Sequence, residues 1–133
     1  MDNKEIFEWF VFADRDLTSA EFLTGMHPQP LEIICYHCQQ SAEKYLKGFL
    51  IHNGIEEPPK IHNLVILCDM CMTFDERFAE IKKQCNSLTK FGVQPRYPNE
   101  FHIEEHHMTG ALEHARQIKD FSPLVEVRKE LES

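Results

Sequence analysis

The sequence predicts an all-α protein, an antiparallel up-and-down four-helix bundle with one additional short helix, and three observations carry that reading. Apolar residues recur at spacings of three and four through most of the chain, the period of a helix with one buried face. Its 5 glycines and 7 prolines fall almost wholly between the periodic stretches, and no segment shows a strand pattern. With 133 residues, 42% of them hydrophobic, the chain has the common size of one domain and enough core to fold without disulfides or a structural metal. Residues 1–133 therefore read as a single helical domain, with 122–133 a short C-terminal helical extension.

The first helix spans residues 3–24. Ile6, Phe10, Ala13, Leu17 and Ala20 make its stripe, Asp2 or Asn3 is available as N-cap, and Gly25 stops it. Residues 31–53 repeat the period through Leu31, Ile34, Cys38, Ala42, Tyr45 and Phe49, and Asn53-Gly54 is a C-terminal signal. Pro58-Pro59 forces an extended connection. Leu64, Leu67, Cys68 and Cys71 then mark the short helix near 62–72, crossing between the second and fourth segments. Thr73 and Glu76 have capping-box spacing, and Phe78, Ile81, Cys85 and Leu88 predict a helix over 76–91. Pro95 and Pro98 exclude regular helix between residues 93 and 101 and place Arg96 and Tyr97 in a constrained bend. Met108, Ala111, Ala115 and Ile118 carry a helix over 103–121. Ser122-Pro123 has the N-cap and N1 pattern of a restart into a last short helix with Leu124, Val127 and Leu131.

Acidic residues outnumber basic ones 22 to 14, a formal charge of −8, so the protein as a whole repels a phosphate backbone and any nucleic-acid site must be local. The N-terminus lacks a basic and then apolar leader, and no run approaches the roughly 18 apolar residues of a membrane span. The expected location is cytoplasmic, without membrane contact.

The 5 cysteines cannot all pair, and a reducing compartment keeps them as thiols. Cys35-x-x-Cys38 and Cys68-x-x-Cys71 resemble a doubled zinc motif. Both pairs lie inside helical patterns at core spacing and neither is followed by a glycine knuckle, so they read as small core hydrophobes. His102, His106, His107 and His114 crowd one region with Glu104, Glu105 and Glu113, but without the His-Glu-x-x-His order of a helical metal site. They read as exposed or pH-sensitive imidazoles, with Glu104 and Glu105 suited to the positive end of a helix dipole. Neither a metal nor a cofactor is expected.

The second helix also carries His37, Gln40, Lys44 and Lys47 along the flank of its apolar stripe. This is either a solvated face braced by Glu43–Lys47 and Gln40–Lys44 pairs or an edge that meets phosphate. Arg96 and His102, with five residues between them, are the most suggestive pair. An arginine holds a phosphate through two parallel hydrogen bonds, and an imidazole with a pKa of roughly 6.5 takes and returns a proton at neutral pH. Together they suit metal-independent phosphodiester cleavage, in which a ribose 2′-hydroxyl attacks the neighbouring phosphate.

Taken together, the chain resembles small prokaryotic HEPN-domain proteins from about Phe10 to Phe121. The carriers are Ala13-Asp14-Arg15-Asp16-Leu17 with Ala20; the run Cys35-Tyr36-His37-Cys38-Gln39-Gln40-Ser41-Ala42-Glu43-Lys44-Tyr45-Leu46-Lys47; Ile61-His62-Asn63-Leu64; and Arg96-Tyr97-Pro98 followed by Ala111-Leu112 and Ala115. The resemblance implies a four- or five-helix bundle, often a homodimer, often encoded beside a minimal nucleotidyltransferase as a toxin and antitoxin pair. It also implies that Arg96 and His102 match the active pair of the ribonuclease members. Tyr97-Pro98 stands where those members commonly have a polar residue after the arginine, and Glu104 stands where partner-modified members have a tyrosine.

Two function classes follow. One is a noncatalytic module binding a nucleotide or nucleic acid beside a nucleotidyltransferase, favoured by the acidic charge and by Tyr97-Pro98. The other is a metal-independent endoribonuclease with Arg96 and His102 as its catalytic pair. In either, His37, Gln40, Lys44, Lys47 and Tyr97 are candidate ligand contacts. A homodimer is expected because Phe7, Trp9, Val11 and Phe12 add more apolar surface than one face of the first helix can hide, and 124–131 could help cover it. Arg96 and His102 of both copies would then share one anion site.

Overall fold

In the computed structural model, which describes residues 3–92 and 102–133, six α-helices and one 3₁₀ segment form the bundle. They are α1 (Asn3–Leu23), α2 (Leu31–His52), α3 (Leu64–Met72), the 3₁₀ segment Glu76–Ile81, α4 (Lys82–Thr89), α5 (Glu105–Lys119) and α6 (Ser122–Glu132). No strand occurs among the described residues.

Helix α2 is the centre of the bundle. It packs on α1, α3, α4, α5 and α6, and 14 of its 22 residues are buried, so its apolar stripe and much of its polar flank both face protein. Its closest neighbour is α1. A Cβ placed on Gly48 would come within 2.8 Å of the Phe10 ring, so only glycine lets the two backbones approach this far. The Ser41 hydroxyl adds a 2.8 Å hydrogen bond to the Ala13 carbonyl across the same contact. Asn53 caps α2, and Gly54 takes the left-handed conformation, with φ of 100°, that turns the chain away.

Asn63 caps α3, its side chain accepting from the Val65 and Ile66 amides. The expected helix over 76–91 is divided. Thr73 does not cap it; its hydroxyl donates to the Met70 carbonyl, while Asp75 accepts the Arg77 amide at 3.0 Å. The first six residues wind as a 3₁₀ helix, and α4 follows. Packing explains the tighter winding, because a 3₁₀ turn eclipses residues three apart and so puts Phe78 and Ile81 on one buried side. There Phe78 sits between Phe49 and Phe121, with ring centroids 4.5 and 5.1 Å away. Phe121, not Ser122, is the N-cap of α6, and Pro123 lies in its first turn.

The α6 segment packs on its own chain. Leu124 and Val127 are buried and Leu131 packs against the core, while Val11 and Leu131 line a common hollow between α1 and α6. Trp9 is likewise packed on the core. Of the four residues the sequence adds to the stripe, Phe7 and Phe12 stay exposed, at 47% and 48%, and Phe22 on the same helix is exposed as well.

All five cysteines are buried and free. No cluster of three or more metal-binding side chains occurs among the described residues. The Cys68 thiol donates to the Phe78 carbonyl and the Cys71 thiol to the Leu46 carbonyl. Burial pushes the Cys35 thiol up to about 11 and that of Cys38 up to about 12, so both remain protonated and inert at neutral pH. In a colorimetric thiol assay the native protein is expected to react slowly at every cysteine and completely once unfolded. Rapid release from the native state would show that the core opens.

Candidate functional site

The polar flank of α2 is divided among three ion-paired assemblies. In the first, Asp16 on α1 receives both His37 and Lys44: His37 Nδ1 lies 2.9 Å from Oδ1, and the Lys44 ammonium donates to Oδ2. In the second, Glu43 and Lys47 form a buried pair at 3.1 Å, each side chain only 7% exposed. The Gln39 amide donates to Glu43 and to the His62 carbonyl, and His62 Nδ1 approaches both Glu43 oxygens. Gln40 donates to Gln39 at 2.7 Å and not to Lys44. The Glu43–Lys47 brace is thus present but belongs to the interior.

The third assembly joins α6 to α1 and α2. Arg128 holds Asp14 through two 2.8 Å hydrogen bonds, the Tyr45 hydroxyl donates to the same carboxylate, and the guanidinium lies over the rings of Phe10 and Tyr45. Burial alone would raise the Asp14 pKa, but the hydrogen bonds from Arg128 and Tyr45 outweigh it and hold the carboxyl below its usual value.

His102 lies at the start of the α5 region and is 88% exposed, with Nε2 3.1 Å from Glu104 Oε1. His106 Nδ1 approaches the other oxygen at 3.4 Å, so one carboxylate serves two imidazoles. Helix α5 begins at Glu105, not 103, and His107 caps it: its Nδ1 accepts the Glu104 amide at 2.9 Å. That bond requires an unprotonated Nδ1, leaving Nε2 as the ring's donor. Loss of water, with the nearby His106 and Lys90 charges, holds the His107 pKa below its ordinary value of 6.5.

Because the folded state disfavours the charged ring, the contribution of His107 to stability is complete above pH 6.5. It is lost as pH falls through that value toward the depressed folded pKa. A proton NMR titration should place the His107 midpoint below 6.5; a midpoint above it would contradict the cap.

Two hollows adjoin this histidine-rich rim. One, of about 140 Å³, is lined by Lys90, Phe91, His102, Ile103 and His107. The other lies between α4 and α5 and shares Lys90, Phe91 and His107 with the first. In the first, Phe91 and Ile103 provide apolar walls while Lys90, His102 and His107 provide nitrogen groups at the edge.

Arg96 and Tyr97 lie outside the described residues. His37 and Lys44 are joined by Asp16, and Gln40 and Lys47 meet through Gln39 and Glu43. None of these four contacts His102 among the described bonds. Sequence reasoning picked out Glu43 as the partner of Lys47 but not Asp14, Asp16, His62, Lys90 or Arg128 as partners. The available signal was charge: two aspartates on α1 facing a helix that carries His37 and Lys44.

The all-helical architecture and these motifs place the protein in a known class. Residues 7–126 match the HEPN domain, and the chain belongs to that family. Its fold is similar to that of TT1696 from Thermus thermophilus, known from a crystal structure, with a TM-score of 0.66 and 21% identity over 94% of this chain and 97% of that one. No curated protein matches the chain. No helix among the described residues is long and apolar enough to cross a membrane.

Proposed function

We propose that this HEPN-domain protein is a cytoplasmic nucleotide- or nucleic-acid-binding module that works as a homodimer beside a minimal nucleotidyltransferase, in a toxin–antitoxin type of pair. The observation that carries the binding is the hollow at His102. Its Phe91 and Ile103 walls suit the apolar faces of a base, and Lys90, His102 and His107 at its rim suit phosphate oxygens. In a protein of net charge −8, such a local group of donors is what phosphate recognition requires. Arg96 enters by its spacing from His102, and the nucleotidyltransferase by family resemblance. The exposed Phe7 and Phe12 rings support a second copy as cover for α1. Calorimetric titration of a nucleoside monophosphate into the wild-type protein, with chelator present, tests the reading. Saturable binding is expected, and its absence would overturn it.

One observation favours a second reading as an endoribonuclease. Glu104 holds the Nε2 side of His102, and a carboxylate that orients an imidazole is what a general base needs. His102 would then take the 2′-hydroxyl proton while Arg96 stabilises charge on the phosphate oxygens.

A further inference from the structure

The groove between α4 and α5, running along α5 away from His102, is lined by Ser87, Lys90, His106, His107, Gly110 and His114 together with Phe91 and Ala111. It is more polar than the hollow at His102, and its chemistry is that of donors: an ammonium, a hydroxyl and three imidazoles. Two features suit it to a ligand. His114 lines it, and because Nδ1 of that ring is enclosed by protein, Nε2 is the nitrogen a ligand can reach. Gly110 lies opposite open space, with nothing within 4 Å of where its Cβ would stand. A glycine inside a helix costs about 1 kcal/mol relative to alanine, so a filled position would favour the helix while narrowing the groove.

His107 connects this groove to the hollow at His102, since it lines both. Its Nδ1 is occupied by the Glu104 amide, so its Nε2–H is a donor that needs no protonation. The carboxylate bonded at this rim, Glu104, is shared by His102 and His106, which offsets its repulsion of an anion.

We propose that the α4–α5 groove is a phosphate subsite, in which Lys90, Ser87, His107 and His114 hold a phosphoryl group of a ligand that also reaches the hollow at His102. The inference rests on the nucleotide-binding reading for the rest of that ligand but not for the phosphate itself. The phosphate would come from a mononucleotide or from the next residue of an oligonucleotide chain.

The test uses tripolyphosphate as probe and histidine-ring NMR as readout, on the wild type and on Gly110→Leu, a substitution with room for its side chain. In the wild type the His107 and His114 resonances should move saturably. In Gly110→Leu the apparent affinity should fall tenfold or more with unchanged circular dichroism. Equal movement of all 8 histidines, or no effect of Gly110→Leu, would overturn the subsite.

A second arm titrates a nucleoside monophosphate and a short single-stranded oligonucleotide. Loss of affinity for both in Gly110→Leu assigns the groove to the mononucleotide's own phosphate, and loss for the oligonucleotide alone assigns it to the next phosphate of a chain. If tripolyphosphate seats in the groove but neither nucleotide binds, the subsite stands and the nucleotide reading fails. If a nucleotide moves His102, which lines the first hollow, while His114 stays still under every probe, the nucleotide reading stands and the subsite fails.

Discussion

Replacing Glu43 by leucine is expected to destabilise the protein by about 3–5 kcal/mol, the range for removing one partner of a buried ion pair. Both side chains are 7% exposed, so Lys47 would be left as a charge in the interior of α2, away from water. The two single substitutions should differ. In Lys47→Met the remaining Glu43 keeps the Gln39 amide at 3.2 Å and His62 at 3.1 Å, so its cost should lie at the lower end of that range. In Glu43→Leu the lysine loses its carboxylate partner, and the cost should lie at the upper end. The double variant Glu43→Leu/Lys47→Met should recover most of the loss, because an apolar pair of similar volume carries no desolvation penalty. Urea unfolding of the four proteins at neutral pH measures all three differences. Single substitutions within about 0.5 kcal/mol of wild type, the usual effect of a surface change, would show that the pair is open to water.

Arg96→Ala and His102→Ala are each expected to weaken nucleotide binding about tenfold to a hundredfold, since a hydrogen bond to a charged group contributes about 1.5–3 kcal/mol. The larger loss is expected for Arg96, whose fork can make two such bonds to one phosphate. His102 is 88% exposed, so its replacement should leave the unfolding midpoint unchanged. Calorimetry on the three proteins, with total RNA incubated in chelator and read on a gel, gives the answer. Unchanged binding in both variants would remove the pair from the site. Cleavage by the wild type that falls about a hundredfold or more in both would transfer the function to the ribonuclease reading.

Helix α1 shows how much was legible beforehand. Its stripe of Ile6, Phe10, Ala13, Leu17 and Ala20 is the set of buried residues observed, because a helix with one buried side records that side as a period in the sequence. The same holds for the cysteines, which occupy core positions along their helices. Helix α2 shows the limit. It is packed by five other helices, so a polar residue on its flank carries no mark distinguishing solvent from a carboxylate on another helix. Lys47 and Lys44 have the same residue type and neighbouring positions on one helix. One pairs within α2 to Glu43 and the other across to Asp16 on α1. The 3₁₀ winding at Phe78 was likewise invisible, since it follows from where Phe49 and Phe121 place their rings.

The helical class, the order of the helices, their inward stripes, the family and the prominence of His102 ahead of α5 are all readable from the linear chain. Each depends on periodicity, on breakers and caps, or on a motif contiguous in the chain. Docking of the helices settles the rest: which charges neutralise one another, that α6 covers its own α1, and that Lys90, Phe91 and Ser87 meet the α5 histidines across a groove. The difference is distance along the chain. Asp14 and Arg128 are 114 residues apart, and Coulombic and packing forces act on separation in space, which a linear pattern does not encode until the helices are docked.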